Sequence, residues 1–311
     1  MGKASTLVVL LTSLSGCAAE ATGEAPLAIR GGSPDLGDSG VVGVILEDTA
    51  AHRKRVCTGT LIAPDLVLTA QHCVADTQPF VNCETSTFGQ PRPADRILVT
   101  PCPSLWSDEA SWTRAAEVIT PPGGPFVCGR DVALLRLTTA LTVTPILPRL
   151  DEGPRAEEPY AAIGYGLSAD RARDAGLRRR REALRVLCVG EDCQSPQISA
   201  DEWRGDHGIC AGDSGGPAID ADGQVIGVTS RGPVTCERPV YGAVAPHAPW
   251  IRDAARVAAA SGGYAAPAWA EGDDLVVEGG GGCALAAPRP EASAPWCLAA
   301  LVGLVAARRR R

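Results

Sequence analysis

From Ile29 to about Ala260 the chain alternates short apolar runs with turn residues. Val41 to Leu46 (VVGVIL), Thr60 to Ile62, Leu66 to Thr69, Val132 to Leu137, Tyr160 to Tyr165 and Gln224 to Thr229 are rich in Val, Ile and Leu and bounded by Gly, Pro, Asp or Ser. Runs this short read as strands, and the repeated turns between them predict an all-β domain, either a pair of barrels or a sandwich. One segment differs. Pro249 to Ala260 (PWIRDAARVAAA) sets Trp250, Ile251, Ala254, Ala255 and Val257 on an apolar stripe that Gly262-Gly263 stops, which predicts a closing helix packed on the β domain.

The two ends follow other patterns. Lys3 and the apolar stretch Ala4 to Leu14 read as an export signal too short to span a membrane. Leu14-Ser15-Gly16-Cys17 resembles a bacterial lipobox, which makes Cys17 a candidate lipid anchor; a cut near Ala18-Ala19 is the alternative. The pattern divides the chain into a signal (1–17), a short propeptide (18–28), the β domain (29–260), a Gly-rich linker (261–282) and a tail (283–311). In the tail, Cys283 precedes a Pro/Ala segment, the apolar Trp296 to Ala307 and Arg308 to Arg311. This resembles a Myxo-type C-terminal sorting signal, so Cys283 is a second candidate lipid anchor; a packing helix is the alternative. Either reading of the start takes the chain out of the cytoplasm, and the anchors imply the cell envelope, at the outer membrane or cell surface, with release as the variant.

Composition narrows the function classes. Of 311 residues 45% are hydrophobic and 21% charged, the net charge is -7, and no basic stripe suggests nucleic acid. The 12 cysteines, in an exported chain, read as structural bridges. They form no CxxC pairs of the kind zinc uses, so neither a metal nor a cofactor is expected.

Candidate chemistry centres on Gly208 to Pro217 (GICAGDSGGP). "DSGG" alone could be a tight turn, but a serine nucleophile is the sharper reading, and its hydroxyl then needs a base. Of 4 histidines, His72 follows an apolar strand directly in LTAQHC. Cys57 and Cys73 bracket the segment CTGTLIAPDLVLTAQHC, and a bridge between them would tie two strands into a hairpin with His72 at its fixed end. Asp131, at the mouth of the apolar strand in GRDVALLRL, is the candidate acid that orients the imidazole.

The order His72, Asp131, Ser214 in LTAQHC, DVALLRL and GDSGGP resembles the chymotrypsin-like serine peptidases over Ile29 to Ala260. The resemblance implies two six-stranded antiparallel β-barrels with a C-terminal helix. It implies endopeptidase activity on protein or peptide substrates by a monomer, with His72, Asp131 and Ser214 catalytic and the N–H groups of Gly212 and Ser214 facing the oxyanion. It also implies activation: cleavage before Ile29 (IRGG) would free an ammonium to pair with Asp213, whose loop is expected in another arrangement in the uncut chain. Gly208, Ile209, Ser230 and Gly232 match the substrate pocket, and Cys210 and Cys236 the bridge that braces it. Gly208 in place of an acid argues against Arg/Lys specificity and for a small or medium uncharged residue before the cut, which Pro26-Leu27-Ala28 would satisfy. Arg231 stands where an aromatic is usual, Tyr165 where a tryptophan is usual, and the segment after Cys236 is short. Cys188 and Cys193 would close a small loop, while Cys83, Cys102 and Cys128 leave one bridge and one thiol to be assigned. The basic run at Arg171, Arg173 and Arg178 to Arg181 reads as a solvated loop, with an exosite as the alternative. A non-catalytic binding module on the same fold and a broad esterase are the competing functions.

Overall fold

A computed structural model describes residues 29, 32–48, 53–169 and 172–271. The candidate anchors Cys17 and Cys283, with the signal, propeptide and tail that carry them, lie outside the described residues.

Among the described residues, twelve strands form two closed antiparallel barrels and a thirteenth adds to an edge. The first holds β2 (Val41–Asp48), β3 (Arg53–Ala63), β4 (Leu66–Thr69), β5 (Ile97–Thr100), β6 (Thr113–Ile119) and β7 (Ala133–Leu137), joined in the order β2-β3-β4-β7-β6-β5. The second holds β8 (Pro159–Gly164), β9 (Arg179–Val189), β10 (Glu202–Gly205), β11 (Pro217–Ile219), β12 (Val225–Arg231) and β13 (Val240–Ala243), and pairing of β8 with β9 closes it. A short β1 (Ser33–Pro34) adds to the outer side of β9. This is the expected pair of six-stranded barrels rather than a sandwich. Where the strands outrun the apolar runs, pairing explains it: β3 begins at Arg53 because Arg55 and Lys54 continue the ladder opposite Leu46 and Glu47.

Each barrel fills its interior differently. Branched aliphatics from alternate positions, among them Val42, Val44, Leu61, Leu68 and Leu134, fill the first. The second is built round three rings, with Trp203 stacked on Tyr241 at 4.1 Å and Tyr160 edge-on to Trp203 at 5.1 Å. Helix α2 (Ala248–Gly262) packs Ile251, Ala254, Ala255, Ala258 and Ala259 inward. Val257, expected on that stripe, is 52% exposed, because the buried positions follow the 3, 4, 7, 8 spacing from Ile251 and leave it on the outer face. Among the described residues, no helix is long and apolar enough to cross a membrane.

The basic run divides: Arg173 is exposed outside any strand, as a solvated loop would have it, Arg171 lies outside the described residues, and Arg178 to Arg181 depart from that expectation. Arg178 is fully buried and Arg179 nearly so, leading into β9. Arg178 Nε donates to Asp35 Oδ2 at 2.9 Å, and its Nη1 donates to the carbonyls of Val41 and Pro101, each at 3.0 Å. One guanidinium therefore joins the segment before the first barrel, that barrel's edge and the start of β9. Its planar set of donors suits three acceptors in fixed directions.

A buried ion pair that loses one member leaves an uncompensated charge in a dry site. Asp35→Ala is expected to lower the urea-unfolding free energy by about 3 to 5 kcal/mol, whereas Asp35→Leu combined with Arg178→Met should recover most of that loss. Equal losses in the single and double variants would contradict this account.

Candidate active site

The end of β4 runs through Ala70 into α1 (Gln71–Val74), a single helical turn that carries His72. A disulfide between Cys57 on β3 and Cys73 holds that turn against the barrel. Asp131 precedes β7 and is 2% exposed. Its Oδ1 accepts the His72 backbone N–H at 2.9 Å, and its Oδ2 accepts His72 Nδ1 at 2.7 Å and the Ser230 hydroxyl at 2.6 Å. With an acceptor-only carboxylate at Nδ1, the proton belongs there and Nε2 is left as the basic nitrogen. Burial alone would raise the Asp131 carboxyl. The facing His72 ring, its hydrogen bonds and the Ser230 hydroxyl outweigh that and hold it below the usual carboxylate range.

Ser214 lines the same cleft as His72 and Asp131. No hydrogen bond among the described residues joins its Oγ to His72 Nε2, a link that in free enzymes often tightens only when substrate arrives. The loop around Ser214 is fixed through its backbone: Thr58 N–H donates to the Ser214 carbonyl at 2.8 Å and Gly215 N–H to Thr229 O at 2.8 Å. Gly215 has φ +83°, and a Cβ there would lie 2.2 Å from both Thr58 O and Thr69 Oγ1, so no other residue fits. Gly212, at φ +103°, adopts a conformation only glycine takes easily.

Asp213 is fully buried, its oxygens accepting N–H groups of Gly166 at 2.8 Å and Cys210 at 2.9 Å. Burial pushes its carboxyl up to about 7, against the lowering effect of those two donors and of the Arg179 charge. Ile29 is buried in the second barrel's core beside Ile209 and has φ +40°, a costly torsion for a β-branched residue.

The cleft holds about 460 Å³. Ile209, Ser230 and Gly232 line it, with Leu167, Val127 and Val234 adding apolar surface. Gly208 is not among the lining residues: its N–H donates to Cys236 O at 2.8 Å, and an added Cβ would lie 2.9 Å from Arg181 Nη1 and 3.3 Å from Ile29 Cγ2. Cys210 and Cys236 are bonded, as are Cys188 with Cys193 and Cys83 with Cys128. Cys102 is disulfide-bonded too, so the leftover thiol anticipated in that group is absent. Arg231 turns its guanidinium onto the fully buried Glu202 in a two-pronged pair at 2.5 and 2.9 Å, and it also donates to Ser230 Oγ at 3.2 Å. Neither Glu202 nor Thr58, whose hydroxyl donates to Gly212 O at 2.9 Å, carried a sequence signal.

With the two barrels and this cleft established, the kinship is direct: the chain belongs to the trypsin family, whose model, described as Trypsin, matches residues 29–251. Kallikrein 1-related peptidase b24 of Mus musculus is 28% identical over 220 residues, 65% of this chain and 81% of that protein. The trypsin of Saccharopolyspora erythraea is 29% identical over 195 residues, 60% of this chain and 79% of that protein. Among solved structures, neuropsin, a serine protease expressed in the limbic system of mouse brain, superposes with a TM-score of 0.56 at 19% identity, covering 72% of this chain and 98% of neuropsin. Trypsin-family relatives are serine endopeptidases and are typically secreted.

A raised acid pKa in the folded state means that the native chain binds the Asp213 proton more tightly than the unfolded chain does. This group's contribution is therefore greatest at low pH and declines as pH rises from about 4 to about 7. In the uncut protein carrying Ser214→Ala, adding Asp213→Asn should become progressively less harmful, by urea midpoint, between pH 5 and pH 8. A trend of the opposite sign would show that Asp213 already has a full counter-charge before cleavage.

Proposed function

We propose that the protein is an exported serine endopeptidase made as a zymogen, with residues 29–260 as its peptidase domain. The supporting observation is the carboxylate of Asp131, which takes both N–H groups of His72 and leaves Nε2 as a base in the cleft lined by Ser214. In this reading Ser214 Oγ attacks a peptide carbonyl, His72 Nε2 takes its proton and returns it to the leaving amine, and Asp131 stabilises the imidazolium. The N–H groups of Gly212 and Ser214 stabilise the tetrahedral oxyanion, a contribution of about 3 to 4 kcal/mol per donor. Water then releases the acyl group by the same proton path.

Activation is cleavage between Ala28 and Ile29. The new ammonium supplies Asp213 with the counter-charge that two backbone donors only partly replace, and cutting abolishes the strained Ile29 torsion, since φ is defined through the residue before it. The apolar cleft with Ile209 at its wall favours a small uncharged residue before the scissile bond, and Ala28 is one. The chain acts at the cell envelope, held by lipid or by its tail.

A fluorophosphonate probe should label the protein at Ser214 much faster after processing at Ala28 than before. Ser214→Ala should abolish labelling and lower kcat on an Ala-containing peptide by about 10⁶-fold. A processed chain that folds yet neither labels nor cleaves would leave a binding module instead. Purified Ser214→Ala protein should also remain uncut at Ala28; efficient cutting of that form alone would show that activation is not its own work.

A further inference from the structure

Thr58 follows Cys57 on β3 and is fully buried where the first barrel meets the loop that carries Ser214. All of its polar atoms are used. Its N–H donates to Ser214 O at 2.8 Å, and its carbonyl accepts the Thr69 hydroxyl at 2.8 Å. Its Oγ1 accepts the Tyr165 N–H at 3.0 Å and donates its single hydrogen to Gly212 O at 2.9 Å. Since the Tyr165 N–H occupies one lone pair, the hydroxyl hydrogen is aimed at Gly212 without competition.

We infer that Thr58 is a positioning residue for the reaction proposed above: by tethering the carbonyls of Gly212 and Ser214 it fixes the peptide units on both sides of the one that points the Ser214 N–H at the oxyanion. A peptide N–H lies in one plane with the carbonyl of the residue before it, so the Ser214 N–H belongs to the unit whose carbonyl is that of Asp213. The units on either side carry Gly212 O and Ser214 O, and Thr58 holds both, the first through its hydroxyl and the second through its own N–H. Gly212, at φ +103°, has no side chain to restrict the chain there, so the outside tether matters most at that end. Thr58 lies 154 residues from Gly212 in sequence, and neither its hydroxyl nor its N–H lines the cleft, so it meets the substrate only through that loop. A preorganised donor pair acts on the transition state more than on the bound substrate. The effect therefore belongs in kcat.

The test compares Thr58→Val and Thr58→Ser in the full chain processed before Ile29. Valine keeps the branched shape and removes the hydroxyl, leaving Gly212 O and the Tyr165 N–H unpaired in a dry seam. It should lower kcat by about 10- to 100-fold with KM within about 2-fold, and serine should restore kcat to within about 3-fold of the parent. Affinity for a peptidyl boronate, which mimics the tetrahedral state, should fall in the same proportion as kcat/KM. If the valine protein does not fold, Thr58→Ala against Thr58→Ser decides in the same terms, because the hydroxyl is the only difference between them. Equal activity in the variants with and without the hydroxyl, or a loss confined to KM, would overturn the inference. A parent chain that fails to label with fluorophosphonate would instead overturn the endopeptidase reading.

Discussion

Asp131 places a carboxylate in the seam between two barrels, where an unpaired ionised group would cost several kcal/mol. Three donors hold it: the backbone and ring N–H groups of His72 from the first barrel, and the hydroxyl of Ser230 from the second. The carboxylate is therefore satisfied only when both barrels are closed and apposed. Much else follows from that requirement. The turn bearing His72 must be fixed to β3, which the Cys57–Cys73 bridge does, and β12 must end beside the cleft, where Arg231 anchors it to Glu202. An acid that cannot be left alone thus acts as an alignment constraint on chain segments far apart in sequence.

Much of this was legible before any coordinates. Apolar runs bounded by turn residues marked the strands, and the motifs round His72, Asp131 and Ser214 are local enough to read directly. What escaped was long-range. Thr58 is an unremarkable strand residue until the Ser214 loop lies against it, and Arg178 is hidden in a run of arginines in which it and Arg179 are buried while Arg180 and Arg181 reach solvent. The helix illustrates a smaller failure: alanines at 258 and 259 carry the buried face, and the larger Val257 drew attention from them. Gly208 matches a pocket position by motif, and an added Cβ there would meet Arg181 and Ile29, contacts that the motif does not foretell.

The cleft combines a side held by the Asp131–His72 pair and the tethered Ser214 loop with a wall that carries Arg231. Arg231 projects no free charge toward a substrate, because its guanidinium is spent on Glu202, Gln197 O and Ser230. The wall of the cleft is consequently apolar, from Ile209, Leu167, Val127 and Val234. Under the proposed endopeptidase function, recognition rests on shape and backbone pairing rather than on a salt bridge to the side chain before the cut.

Cys73 adjoins His72, and Cys128 stands three residues before Asp131, so two of the cross-links close at the shoulders of the proton relay. Loops of 16 and 45 residues closed in this way restrict the unfolded chain by about 3 and 4 kcal/mol in the chain-entropy account. Thiol-rich surroundings withhold both restraints. In an exported peptidase, as proposed above, an oxidising milieu outside the cell thus becomes a chemical timer, coupling the set of the His72 and Asp131 segments to distance from the ribosomes.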